Sequence, residues 1–301
     1  MDAAQKTDRR RTLEGAALGF LGVAIFSFTF PATKFALHGY SPWFIAFGRA
    51  VVAAACAIPT LWLRKARRPT RSEATRLAVT AGGIVVGFPV LSALALQRTG
   101  SAHGAIVIAL LPAATSIFAV IRAHERPGPV FWVAALAGVA IVTTFAVEQA
   151  GGGLSLADGY LLVAVAVCGM GYAEGAAIAR TLGAIETISW ALVVSLPVSV
   201  VVAAFTLPSA MPGTKATFGF LYSAVASMFL GFVFWYAGLA MGGVARVGQI
   251  QLFQALMTVG WSALTLGEHI SWTILLAAIG VIASVAVSQR ARVGQARARP
   301  S

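Results

Sequence analysis

Ten runs of roughly 20 mostly apolar residues, each long enough to cross a hydrocarbon core as a helix, occupy most of this sequence. Their approximate limits are 13–35, 43–63, 77–97, 103–122, 129–147, 158–180, 186–207, 217–240, 245–266 and 271–289. Lipid offers backbone groups no water to bond, so such runs must satisfy themselves as helices. A membrane barrel would need apolar and polar residues in alternation, and these runs do not alternate. With 58% hydrophobic and 11% charged residues, the 301-residue chain lacks the polar surface of a soluble domain. The expected fold is an all-α integral membrane protein of ten transmembrane helices. The first run follows the basic stretch MDAAQKTDRRR, but it is long and lacks a small-residue cleavage site, so it reads as a retained span.

The net charge of +12 does not point to nucleic acid, because the basic residues gather between the apolar runs. With both termini in the cytoplasm, eighteen Lys and Arg fall on the inner side, six of them between Arg64 and Arg76. Only Lys34, Arg98 and Lys215 fall on the outer side, and Arg49 lies within a span. This asymmetry predicts cytoplasmic termini. Cys56 and Cys168 have neither metal-ligand spacing nor a disulfide framework and read as small buried thiols. No metal or cofactor is expected.

The two halves match each other. Glu14-Gly15 corresponds to Asp158-Gly159 and Gly87-Phe88 to Gly231-Phe232, both at a shift of 144. Gly100, Ala102, Thr115 and Glu125 correspond to Gly243, Ala245, Thr258 and Glu268 at 143, and Gly138-Val139 to Gly280-Val281 at 142. Each half holds five spans, an odd number, so the second enters the membrane from the opposite side: an inverted repeat, a common plan of secondary transporters. The expected organisation is a basic cytoplasmic tail (1–12), a first five-span repeat (13–147), an external Gly-rich linker (148–157), a second repeat (158–289) and a second basic tail (290–301).

This order of features resembles the drug/metabolite transporter superfamily, nearest its EamA-type metabolite and amino-acid exporters. The likeness is carried by PATKFAL with Pro31 and Lys34, by SPWFIAFGRAVVAA with Pro42 and Arg49, and by the matched ends IRAHERPGPVFWVAALAGVAIV and LTLGEHISWTILLAAIGVIASV. It covers residues 13–289. The resemblance implies a bacterial inner-membrane exporter of small metabolites, with a cavity lined by spans 1, 3, 4, 6, 8 and 9 and with spans 5 and 10 peripheral. Amino acids are common cargo in that branch, and aromatic amino-acid exporters belong to the superfamily. His124, which precedes the turn glutamate Glu125, and Pro112, which has Ala255 opposite it in the second half, depart from the pattern.

Several residues are candidates for transport. Pro31, Pro89 and Pro112 free the carbonyls of Ser27, Val85 and Ile108 and mark expected helix breaks with a gating role; a static kink is the alternative. Ser27 joins the candidate binding set. Glu174 is the only acid well inside a span, suited to proton carriage or a substrate ammonium, or else to a structural ion pair. Phe88, Tyr172, Trp235 and Tyr236 fall on helices that the resemblance assigns to the cavity. Gln251, Gln254, Thr258, Ser262 and Thr265 share one narrow stripe of span 9, since successive helical residues turn by about 100°, whereas Gln249 points nearly opposite. The stripe is expected to face a wet cavity, where Gln251 and Gln254 hydrogen-bond substrate; packing against polar neighbours is the alternative. Arg49 and Lys34 either snorkel or hydrogen-bond structurally, or bind an anionic group, and His103 stands at the outer mouth of span 4. Glycine pairs on four spans (15/19, 83/87, 171/175 and 238/242) suit close helix packing.

The leading functional expectation is thus a secondary exporter of small metabolites, amino acids foremost, working by alternating access. A sugar-phosphate or nucleotide-sugar exchanger would want several buried bases. A membrane enzyme would want a nucleophile, metal or phosphate-loop motif, and none is present. A passive channel would conduct without exchange. The expected partners are a small molecule and membrane lipid, without nucleic acid.

Overall fold

The computed structural model describes residues 3–123, 128–149, 153–242 and 247–297. The turn residues His124 and Glu125, linker glycines 151 and 152, and the repeat positions Gly243 and Ala245 lie outside the described residues, as does the side chain of Gln249. Among the described residues there is no strand. Eight helices among the described residues are long and apolar enough to cross a membrane: Leu13–Ala36 (span 1), Pro42–Leu63 (span 2), Arg71–Leu96 (span 3), Ser101–Arg122 (span 4), Pro129–Gln149 (span 5), Leu156–Leu182 (span 6), Ala184–Phe205 (span 7) and Thr214–Met241 (span 8). Two shorter apolar helices, Ile250–Leu266 (span 9) and Trp272–Ser288 (span 10), complete the ten.

Local chemistry sets the helix ends. Ser41 Oγ accepts from Phe44 N at 3.1 Å just before Pro42, whose missing N–H is no loss in a first turn. Thr70 with Glu73 and Ser155 with Asp158 form reciprocal capping boxes at spans 3 and 6. Span 9 stops at Gly267, whose φ of +68° suits a residue without a Cβ.

Prolines mark interruptions within spans. Span 1 breaks at Phe28 ahead of Pro31, and span 4 between Ile108 and Leu111 ahead of Pro112. In span 3, Pro89 follows a π-helical segment, Ala81–Gly87. Span 8 carries a matching π segment, Tyr222–Gly231, with no proline in it. The widened turn therefore belongs to the repeat and not to Pro89 alone. Both segments end on the Gly-Phe pairs that the 144-residue shift relates.

Packing follows the same symmetry. Spans 2 and 7, 4 and 9, and 5 and 10 pack on each other, each on its own counterpart, while span 1 packs on span 8 as span 3 does on span 6. The last two contacts are glycine-mediated. A Cβ on Gly83 would meet Val167 O and stand 3.0 Å from Gly171 Cα, and one on Gly238 would stand 2.8 Å from both Gly15 O and Gly19 Cα. Without the hydrophobic effect to join helices in lipid, such backbone approach supplies the dispersion contacts that do. Large apolar side chains such as Trp62, Phe205, Leu264 and Leu276 cover the outside, as a hydrocarbon solvent requires.

Candidate functional site

The π segments and the span 1 break converge on a narrow central cavity. Span 1 contributes Phe26, Thr29 and Phe30; span 3, Ile84 and Phe88; span 4, Leu111; span 6, Cys168 and Tyr172. Ser227 and Phe232 come from span 8 and Gln254 from span 9. These are the six spans the resemblance implies, with one addition, Arg49 of span 2.

The walls are aromatic. Phe30 stacks on Phe88 at 6.2 Å between centroids, and Phe232 meets Phe26 edge-on at 4.9 Å and Tyr172 at 5.8 Å. The polar groups among the described residues are three hydroxyls, one thiol, one amide and one guanidinium. The Thr29 and Ser227 hydroxyls bond each other at 2.8 Å across the repeat boundary. Arg49 is 4% exposed and does not snorkel, and its Nε has no hydrogen-bond partner. Among the described residues it is the one charged group on the wall.

Three of the candidate binding residues, Phe88, Tyr172 and Gln254, meet at this cavity. The others lie elsewhere. Ser27 Oγ donates to Ala24 O at 2.7 Å and accepts from Trp261 Nε1 at 3.1 Å. Gln251 is buried off the cavity wall, its Nε2 without a partner. Trp235 is buried against Gly22 of span 1, and the Tyr236 hydroxyl lies against Gly175 without a hydrogen bond. The span 9 stripe divides: Gln254 reaches the cavity, while Thr258 bonds Ser27 O and Ser262 bonds Ser101 Oγ, both at 2.8 Å.

Glu174 is held in ion pairs, the structural alternative to proton carriage or ammonium binding. It is shared by Arg76 Nε at 2.8 Å and Arg122 Nε at 2.7 Å, at the arginine-rich end of the bundle, and it does not line the cavity. Long arginine side chains from the start of span 3 and the end of span 4 reach it from outside its own helix, so the acid is paired where the sequence shows it alone.

The opposite end is tied differently. Glu268 accepts from Ser101 N at 2.7 Å and Ala102 N at 2.8 Å, a carboxylate on the N-terminus of span 4, where free N–H groups and the helix dipole favour it. Lys34 Nζ donates to Leu96 O and Thr99 O at 2.9 and 3.0 Å, capping the C-terminus of span 3 away from the cavity wall. His103 Nε2 lies 2.6 Å from Asp158 Oδ1.

Phe232 was open to detection from the sequence, being the repeat counterpart of Phe88. Thr29 and Ser227 carry no local signal, and Arg49 and Cys168, visible as a base and a thiol inside spans, gave no sign of facing the cavity, since only the packing decides which face of each span turns inward.

The family pattern of the EamA-like transporter family matches this chain twice, at residues 13–146 and 155–289. The "Uncharacterized transporter YdeK" of Bacillus subtilis (strain 168) is 43% identical over 282 residues, covering 93% of this chain and 98% of that protein. A protein of known crystal structure at 18% identity superposes with a TM-score of 0.65, covering 91% of this chain and 97% of that one, a likeness of fold alone. With a membrane-spanning, twofold-repeated helical fold, an aromatic central cavity and a family match over both halves, the chain is an integral membrane transporter, not an enzyme, and belongs to the EamA-like transporter family of the drug/metabolite transporter superfamily.

Proposed function

We propose that this protein is a secondary exporter of small metabolites, amino acids foremost, that works by alternating access across a bacterial plasma membrane with both termini cytoplasmic. The observation that carries the reading is the central cavity at the boundary between the two repeats. Polar ties cross that boundary at each end: Glu174 to Arg76 and Arg122 at one, Glu268 to Ser101 and Ala102 and Asp158 to His103 at the other. Two sets of breakable contacts flanking a central site are what a rocking of one repeat against the other requires. The cluster of arginines around Glu174 supports assigning that end to the cytoplasm. Gln254, Tyr172 and Phe88 supply an amide, a hydroxyl and an aromatic face for an amino acid, while the breaks at Pro31, Pro89 and Pro112 supply the hinges.

A sugar-phosphate exchanger is disfavoured by a wall that offers one guanidinium to a di-anion. Counterflow in proteoliposomes preloaded with single amino acids is the test. Transient accumulation of labelled amino acid above equilibrium is expected, saturating with concentration. Linear, unstimulated uptake would indicate a channel and contradict the reading.

A further inference from the structure

We propose that Arg49 is the anion-binding residue of the central cavity, and that the cavity takes a small monocarboxylate with an aromatic or branched apolar body. The inference rests on the reading of this cavity as the transport site. Arg49 lies seven residues past Pro42, roughly 10 Å into span 2. A guanidinium does not give up its proton, so its charge stays in the wall. A buried charge is tolerated when it is paired and hydrogen-bonded, yet Arg49 makes no ion pair among the described residues and its Nε is unpartnered.

Five of the described acids are committed elsewhere. Glu174 holds Arg76 and Arg122; Asp158 holds His103 and Ser155; Glu268 holds the start of span 4; Glu73 and Glu186 hold Arg67 and Arg64. Among the described residues no carboxylate lines the cavity. Among the described residues the wall therefore carries one fixed positive charge and no fixed negative one, and its complement is a carboxylate group, whether of an amino acid or of a simple acid. A carboxylate fits the planar fork of a guanidinium with two parallel bonds. Phe26, Phe30, Phe88 and Phe232 surround the rest of the ligand with ring faces and edges, which sets an apolar body. The free space between these rings is narrow, which keeps that body small. The ammonium of a zwitterionic amino acid would meet only neutral acceptors, Gln254 Oε1 and the hydroxyls, and a simple amine would meet the guanidinium.

The test uses the full chain in lipid nanodiscs and four probes with one body: 3-phenylpropanoate, 3-phenylpropanamide, phenylalanine and phenethylamine. The expected result is that 3-phenylpropanoate binds most tightly and phenethylamine least. Arg49→Gln should lose about 30-fold or more in affinity for the carboxylate, as when one partner of a buried charge pair is removed. It should weaken the neutral amide far less, and Arg49→Lys should recover part of the loss. The amide also reports that the variant is folded. A carboxylate-to-amide preference equal in wild type and Arg49→Gln overturns the proposal, as does tightest binding of phenethylamine or no binding of any probe. Phe88→Trp separates the two failures. If it abolishes binding while Arg49→Gln preserves the preference, the cavity stands and the anion site falls; if Phe88→Trp changes nothing, the cavity itself is not the site.

Discussion

Thr258 Oγ1 on span 9 lies 2.8 Å from Ser27 O on span 1, the carbonyl that Pro31 deprives of its helical partner. The same hydroxyl lies 2.9 Å from Gln254 O, one turn earlier on its own helix. A bend in one repeat is thus stabilised by a side chain from the other. Thr258→Val, nearly isosteric, should lower stability by about 0.6–1.7 kcal/mol, the range for interhelical hydrogen bonds in membranes. Thr258→Ser should restore it. Thermal unfolding in detergent, followed by tryptophan emission, checks both; equal melting temperatures for Val and wild type would mean that Ser27 O is satisfied in another way.

Glu174 neutralises two guanidiniums from spans 3 and 4, so Glu174→Gln should loosen the arginine-rich end. Thr80, fully buried one turn beyond Arg76, is the reporter position. In a background lacking Cys56 and Cys168, the thiol introduced by Thr80→Cys should react severalfold faster with a water-soluble maleimide when Glu174→Gln is added. An unchanged rate would show that the ion pairs do not hold this end closed.

The glycine contacts predict a matched pair of defects. Gly83→Ala would press a methyl group onto Val167 O and Gly171, and Gly238→Ala would do the same to Gly15 and Gly19. Each should cost about 1–3 kcal/mol, as overpacking does. Gly260→Ala, with nothing within 4 Å of the added carbon, should be neutral or slightly stabilising. Melting temperatures that do not separate the first two from the third would contradict the packing.

Much of the architecture could be read along the chain, because an apolar run long enough to span lipid has few other uses and the Gly-Phe pairs at 87–88 and 231–232 expose the repeat. The site was harder to read. Helical periodicity puts Gln254, Thr258 and Ser262 on one face, but it cannot say that Ser27 and Ser101 occupy two of them and the cavity the third. Glu174 looks solitary because its partners stand 98 and 52 residues away, on the ends of other helices. Arg49 has a visible depth but no visible orientation, and only the packing of span 2 turns it inward.

Cytoplasmic termini predict opposite labelling of two exposed positions. Ser155→Cys should react with an impermeant thiol reagent in whole cells and Arg68→Cys should not, in the same cysteine-free background. Labelling at residue 68 from outside would invert the topology.

The central cavity as transport site is tested most directly at Gln254, the one amide on its wall. The measurement is the half-saturating concentration of counterflow for Gln254→Leu, taken with its melting temperature. An amide that binds substrate predicts a rise of about tenfold or more, the loss of one good hydrogen bond to a charged group, while the melting temperature holds or increases. Unchanged half-saturation together with a lowered melting temperature would make Gln254 a packing residue and contradict the assignment of the cavity.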